Sequence, residues 1–137
     1  MKRLHISLNV SDLPASIQFY SDLFGASPEV IHPDYAKWML DDPRVNFVLE
    51  HSTESTGLTH AGIQTESEAE LTEVFERMQA AEIPYVEEGT TSCCYAKSEK
   101  SWTFDPDGLP WEAFYTHHQL EERGKGGLPQ VGAPCCS

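Results

Sequence analysis

The feature that most constrains the fold is an internal repeat, because the same succession of predicted elements occurs twice along the chain. Each half opens with a strand in which apolar and polar residues alternate, Leu4–Val10 and Leu58–Thr65. A helix follows each strand, at Leu13–Phe24 and at about 68–81, with apolar residues three and four positions apart. Each helix is followed by three short strand candidates: Glu29–His32, Tyr35–Leu40 and Asn46–Glu50 in the first half, and Tyr85–Glu88, Ser101–Asp105 and Trp111–Tyr115 in the second.

Local signals fix where several of these elements begin and end. Ser11 or Asp12 can cap the first helix, and Ser67 with Glu70 forms a capping box for the second. The stretch Asp105–Gly108 predicts a turn, since proline fixes φ and glycine tolerates a positive φ. The pattern therefore predicts an α+β domain at 1–118, made of two βαβββ modules at about 1–54 and 55–118. Residues 119–137 are rich in glycine and proline and predict a flexible tail.

Three candidate metal ligands occur at matching places in the repeat. His5 and His60 lie on the polar face of the first strand of each module, and Glu112 lies on the polar face of the last strand. Because the helices must cover the apolar faces, the polar faces should line a shared cavity. Such a set suits Fe(II), Mn(II), Ni(II) or Zn(II), and with open positions it forms a facial triad. Glu50 is a weaker candidate for a fourth ligand, and we expect the other four histidines at the surface: His32, His51, His117 and His118.

Charge and cysteine usage restrict the partners and the compartment. Acidic residues outnumber basic ones by 22 to 9, a net charge of −13, which argues against nucleic acid and anionic membrane partners. We find no signal core and no apolar run near the roughly 20 residues that span a bilayer. The four cysteines form two adjacent pairs, which close almost no loop and suit free thiols in a reducing compartment. We therefore expect a cytoplasmic protein.

The first cysteine pair, Cys93-Cys94, lies in a segment whose other residues suit ligand binding. Two adjacent thiols can bind one soft centre, such as trivalent arsenic, cadmium or mercury. Lys97 and Lys100 would favour the thiolate form, and Tyr95 and Trp102 would pack against a small organic group. We expect residues 91 to about 100 to form a connecting loop that is mobile without substrate.

The paired modules and the run from Asp105 to Glu112 resemble the vicinal-oxygen-chelate superfamily of glyoxalases, bleomycin-resistance proteins and extradiol dioxygenases. This resemblance covers about residues 3–116 and implies a curved mixed sheet around a metal site. The motif beginning Cys93-Cys94-Tyr95, together with His5 and the cysteine-rich tail, narrows the resemblance to the organoarsenical carbon–arsenic lyases.

That narrower resemblance implies an Fe(II)-dependent dioxygenase. It would use dioxygen as co-substrate, cleave the C–As bond of trivalent methyl- or aryl-arsenicals and release arsenite. His5, His60 and Glu112 would hold the iron and carry catalysis. The residues implied for the substrate are Cys93, Cys94, Tyr95 and Lys100, with Cys135 and Cys136 as a second pair for arsenic capture. The alternatives are a cadmium- or arsenite-binding resistance protein without turnover and a glyoxalase-like enzyme. Both modules lie in one chain, so either a monomer or a homodimer is compatible with a complete site.

Overall fold

The computed structural model describes residues 1–93 and 96–119, with the backbone alone described at 88–99 and 117–119. The described elements follow the predicted order. The first module contains β1 (Arg3–Val10), α1 (Leu13–Phe24), β2 (Val30–His32), β3 (Tyr35–Asp41) and β4 (Arg44–His51). The second contains β5 (Gly57–Thr65), α2 (Glu68–Ala80), β6 (Val86–Cys93), β7 (Ala96–Phe104) and β8 (Pro110–Gln119).

The strands form one eight-stranded mixed sheet in the order β2-β3-β4-β1-β5-β8-β7-β6. Within each module the first strand pairs in parallel with the last one, β1 with β4 and β5 with β8. The two modules join where β1 pairs antiparallel with β5. The first strands of the two modules therefore lie side by side at the middle of the sheet, with β8 next to β5.

The caps and turn that the sequence predicts are present. Asp12 accepts a hydrogen bond from the backbone N–H of Ala15 at 3.0 Å, so Asp12 caps α1. Ser67 accepts from the N–H of Glu70 at 3.2 Å and begins α2. The turn between β7 and β8 is closed by the Asp105 carboxylate, which accepts from two following N–H groups.

Both helices cover the same face of the sheet. The first core cluster packs α1 against β3 and β4 and contains Leu13, Ala36, Trp38, Val45, Phe47 and Leu49. The second packs α2 against β8 and contains Leu71, Val74, Met78 and Ala113. The polar residues that alternate with these apolar ones therefore point to the opposite, concave face, as predicted. None of the described helices is long and apolar enough to cross a membrane.

The structure corrects one prediction, the connecting loop at residues 91 to about 100. Residues 86–93 and 96–104 form the paired strands β6 and β7, and Cys93 is in register with Ala96. The strand β6 was hard to predict because Val86–Cys93 contains two glutamates, a glycine, two threonines and a serine, without an apolar alternation. Backbone pairing between β6 and β7 defines this edge of the sheet. Cys94, Tyr95 and the tail beyond Gln119 lie outside the described residues.

Candidate metal centre

Three neighbouring strands bring His5, His60 and Glu112 together on the concave face. His5 of β1 is in register with Gly62 of β5, and Gly62 is in register with Glu112 of β8. The His5 and His60 Nε2 atoms are 3.1 Å apart, and Glu112 Oε1 lies 3.4 Å and 3.7 Å from them. All three residues are buried, at 1% exposure or less. Among the described residues, these three form the group able to hold one metal ion.

A glycine creates the space that this arrangement needs. A Cβ added to Gly62 would lie 2.6 Å from the backbone oxygen of Glu112 and 3.3 Å from His5 Cδ2. Real Cβ atoms do not approach a backbone oxygen so closely. Gly62 therefore lets the carboxylate and the His5 ring lie on either side of β5 without displacing β8.

Hydrogen bonds on the far side of each ring assign the tautomer of both histidines. His5 Nδ1 lies 3.2 Å from the backbone oxygen of Asn46, which can only accept, so Nδ1 carries the proton. Thr59 donates its hydroxyl proton to the backbone oxygen of Ser7, so its oxygen accepts from His60 Nδ1 at 3.2 Å. Both Nε2 atoms therefore present lone pairs to each other, together with a carboxylate oxygen. In this arrangement the three acceptor atoms have no hydrogen to share, and a cation between them would satisfy all three.

The spacing of the three ligand atoms fits a divalent ion. From the three separations, a point about 2.0 Å from all three atoms lies inside the triangle they form. Bonds from Zn²⁺ to histidine nitrogen and carboxylate oxygen measure about 2.0–2.2 Å. An ion placed just above that triangle therefore reaches all three atoms without movement of the strands.

The electrostatics of the site keep His5 and Glu112 in the state that binds a metal. Burial, and then the neighbouring His60, lowers the pKa of His5 to about 4, so its ring is neutral at pH 7. Burial acts to raise the pKa of Glu112, but Lys100 and the two histidines outweigh it and hold that pKa well below its usual range. The carboxyl group is therefore ionised at neutral pH.

Aromatic and basic side chains surround the triad. The Phe114 ring meets the His5 ring edge-on at 5.3 Å, and the Trp102 ring meets the His60 ring at 5.3 Å. Lys100 Nζ lies 3.2 Å from Glu112 Oε2, and both side chains are fully buried. The structure thus places Lys100, which we expected to contact substrate, beside a candidate metal ligand.

The remaining predicted site residues are distributed as follows. Glu50 is buried at 3% exposure but does not belong to the group of three. Cys93 is the last residue of β6, and its side chain is not described. Cys94, Tyr95, Cys135 and Cys136 lie outside the described residues. Their expected roles therefore stay predictions.

Sequence reasoning missed the residues that support the ligands. Thr59 and the Asn46 carbonyl orient the two rings, and Gly62 makes room for them. A threonine directly before a candidate ligand and a glycine two residues after it were visible in the sequence. Their significance depends on the register between strands, which the sequence does not specify.

Comparison with known proteins shows which proteins the chain is similar to. A model of the glyoxalase/bleomycin resistance protein/dioxygenase superfamily matches residues 2–113. A "trivalent organoarsenical cleaving enzyme" of Bacillus sp. (strain MD1) is 45% identical over 149 aligned positions, covering 100% of this chain and 91% of that protein. The "cadmium-induced protein CadI" of Mycobacterium tuberculosis (strain ATCC 25618 / H37Rv) is 35% identical and covers 92% and 84%. Among solved structures, an extradiol ring-cleaving dioxygenase from B. fuscum matches with a TM-score of 0.62 at 18% identity, covering 87% of this chain and 34% of that one. This last similarity concerns the fold alone.

Proposed function

Because the chain belongs to the glyoxalase/bleomycin resistance protein/dioxygenase superfamily, and a 45% identical relative is named a trivalent organoarsenical cleaving enzyme, we propose that it cleaves carbon–arsenic bonds. In this proposal it is an Fe(II)-dependent dioxygenase that acts on trivalent methyl- or aryl-arsenicals and releases arsenite. Its cellular role would be arsenic detoxification.

The observation that carries this proposal is the convergence of two histidine lone pairs and one carboxylate oxygen in a buried site. The described site supplies three ligand atoms, so an octahedral ion held by them would keep positions for other ligands. Fe(II), when bound there, would supply the binding and activation of dioxygen. The triad residues, which are all buried, would hold that ion.

The cysteine pair is the candidate holder of arsenic, and its position in the fold sets a requirement. Cys93 ends β6 and is in register with Ala96, whereas Trp102 of β7 is in register with Glu112. Trp102 is six positions beyond Ala96 along β7, which corresponds to about 20 Å. The end of the β6–β7 hairpin must therefore approach the triad for a cysteine-bound arsenical to bring its carbon group to the metal. In this role Tyr95 would pack against that group.

The test is arsenic speciation after incubation of the purified protein with Fe(II), air, a thiol reductant and a trivalent methylarsenical. We expect arsenite to form with the native protein and not with His5→Ala, His60→Ala or Glu112→Ala. His51→Ala is the matched control, because His51 is exposed at the end of β4 and should leave turnover unchanged. Full activity in any triad variant would exclude that residue as a ligand, and no arsenite from the native protein would refute the proposed reaction.

A second candidate function is soft-metal binding without turnover, and the similarity to a cadmium-induced protein favours it. It predicts stoichiometric Cd(II) or As(III) binding that depends on the cysteines, with no arsenite formed from the methylarsenical. A glyoxalase-like activity would call for Glu50 as a fourth ligand, and Glu50 does not belong to the group of three. The speciation assay separates these functions, because only the carbon–arsenic lyase converts organic arsenic to arsenite.

A further inference from the structure

The two carboxylate oxygens of Glu112 face different partners. Oε1 faces the Nε2 atoms of His5 and His60, at 3.4 Å and 3.7 Å. Oε2 faces Lys100 Nζ at 3.2 Å. A carboxylate can bind a metal ion through one oxygen or through both, and the difference decides how many positions remain for other ligands.

Lys100 is unusual because its charge is fully buried. The residue is 1% exposed, and its side chain and that of Glu112 have no solvent exposure. Burying an ammonium group is costly unless it is paired, so this position is unfavourable for a lysine without a specific partner. The Trp102 ring, with its centroid 5.9 Å from Nζ, adds a further contact that fixes the ammonium group.

We propose that Lys100 is a positioning residue that holds Oε2 of Glu112 and thereby restricts this ligand to one oxygen, leaving three adjacent positions open on the metal. An ion held by His5, His60 and one oxygen of Glu112 has three of six octahedral positions filled. If both oxygens bound, four would be filled. Lys100 therefore sets whether three positions or only two remain on the metal for exogenous ligands.

This inference rests on the proposed metal site and is tested without turnover. Mn(II) is the probe, because it takes oxygen and nitrogen ligands in octahedral geometry and its bound waters can be counted. The count comes from the broadening of the Mn(II) EPR signal in ¹⁷O-water, supported by the water proton relaxivity of the loaded protein. The native protein should carry three exchangeable waters on each bound Mn(II).

The Lys100→Met variant removes the ammonium group and keeps a side chain of similar length. It should still bind Mn(II) but carry two waters, a loss of about one third of the inner-sphere relaxivity, since Oε2 loses its contact with the ammonium group and can join the metal. Lys37→Met is the matched control, because Lys37 is also buried, at 2% exposure, on the concave side of β3. It should keep three waters.

Each outcome has a distinct meaning. Two waters in the native protein, or three in Lys100→Met, would overturn the role of Lys100. Loss of Mn(II) binding in folded Lys100→Met would overturn it too, because Lys100 would then support the triad as a whole. Two waters in the native protein would overturn the role of Lys100 even if Lys100→Met does not fold. Failure of the native protein to bind Mn(II) would instead remove the metal site on which the proposed function depends.

Discussion

The hydroxyl of Thr59 should control metal affinity without touching the metal. It donates to the Ser7 carbonyl at 3.2 Å and so accepts the Nδ1 proton of His60 at 3.2 Å. Thr59→Val keeps the shape and the β-branched side chain that suits β5, but removes this acceptor. The His60 ring can then move its proton to Nε2, the atom that faces the metal position.

Two independent estimates give the size of the effect. Leaving a buried donor without its partner costs about 1–3 kcal/mol. Removing a group that orients a metal-bound histidine typically weakens metal binding by about 10- to 100-fold, which corresponds to about 1.4–2.8 kcal/mol. The estimates agree, so we expect the Kd for Mn(II) or Fe(II) to rise by about 10- to 100-fold in Thr59→Val.

The assay is competition for the metal between the protein and a fluorescent chelator, under anaerobic conditions for Fe(II). Thr59→Ser is the control, because it keeps the hydroxyl and should bind nearly as tightly as the native protein. Saturating metal should restore the activity of Thr59→Val, since the ligands themselves are intact. If Thr59→Val binds with the native Kd, the tautomer argument for His60 is incorrect. If Thr59→Ser is as weak as Thr59→Val, packing rather than the hydroxyl is responsible.

Three further predictions follow from the same structure. Gly62→Ala should abolish Mn(II) binding, measured by calorimetry, because its Cβ would lie 2.6 Å from a backbone oxygen of β8; native affinity would contradict this. Burial lowers the pKa of Lys37 from 10.5 to about 8, so the folded state disfavours the ammonium form. Lys37→Met should therefore increase the free energy of unfolding at pH 7 by up to about 3 kcal/mol. This gain in stability should shrink as the pH rises from 8 to 10.5. Urea unfolding at pH 7 and pH 10 measures it, and an equal gain at both pH values would refute the lowered pKa of Lys37. Cys93→Ser or Cys94→Ser should stop arsenite formation at saturating substrate, whereas truncation after Leu120 should leave it largely intact; the reverse result would show that the tail pair binds the substrate.

The sequence alone determined the repeated order of elements and identified the three candidate ligands that the structure brings together. Alternation of apolar and polar residues placed His5, His60 and Glu112 on the face away from the helices, and the register between strands agrees with that placement. Such patterns are local, because the side-chain direction in a strand depends on the position of each residue along it. The caps at Asp12 and Ser67 could be read for the same reason.

Only the tertiary structure decided what surrounds those ligands. Lys100 lies on β7, in the β6–β7 hairpin at the edge of the sheet, where apolar and polar residues show little alternation. From the sequence we expected Lys100 to contact the substrate. Pairing of β7 with β8 instead brings its ammonium group to Glu112. Thr59 and Gly62 likewise gain their roles from neighbours on other strands. Contacts of this kind depend on register between distant segments, which backbone hydrogen bonding and packing of the whole sheet determine together.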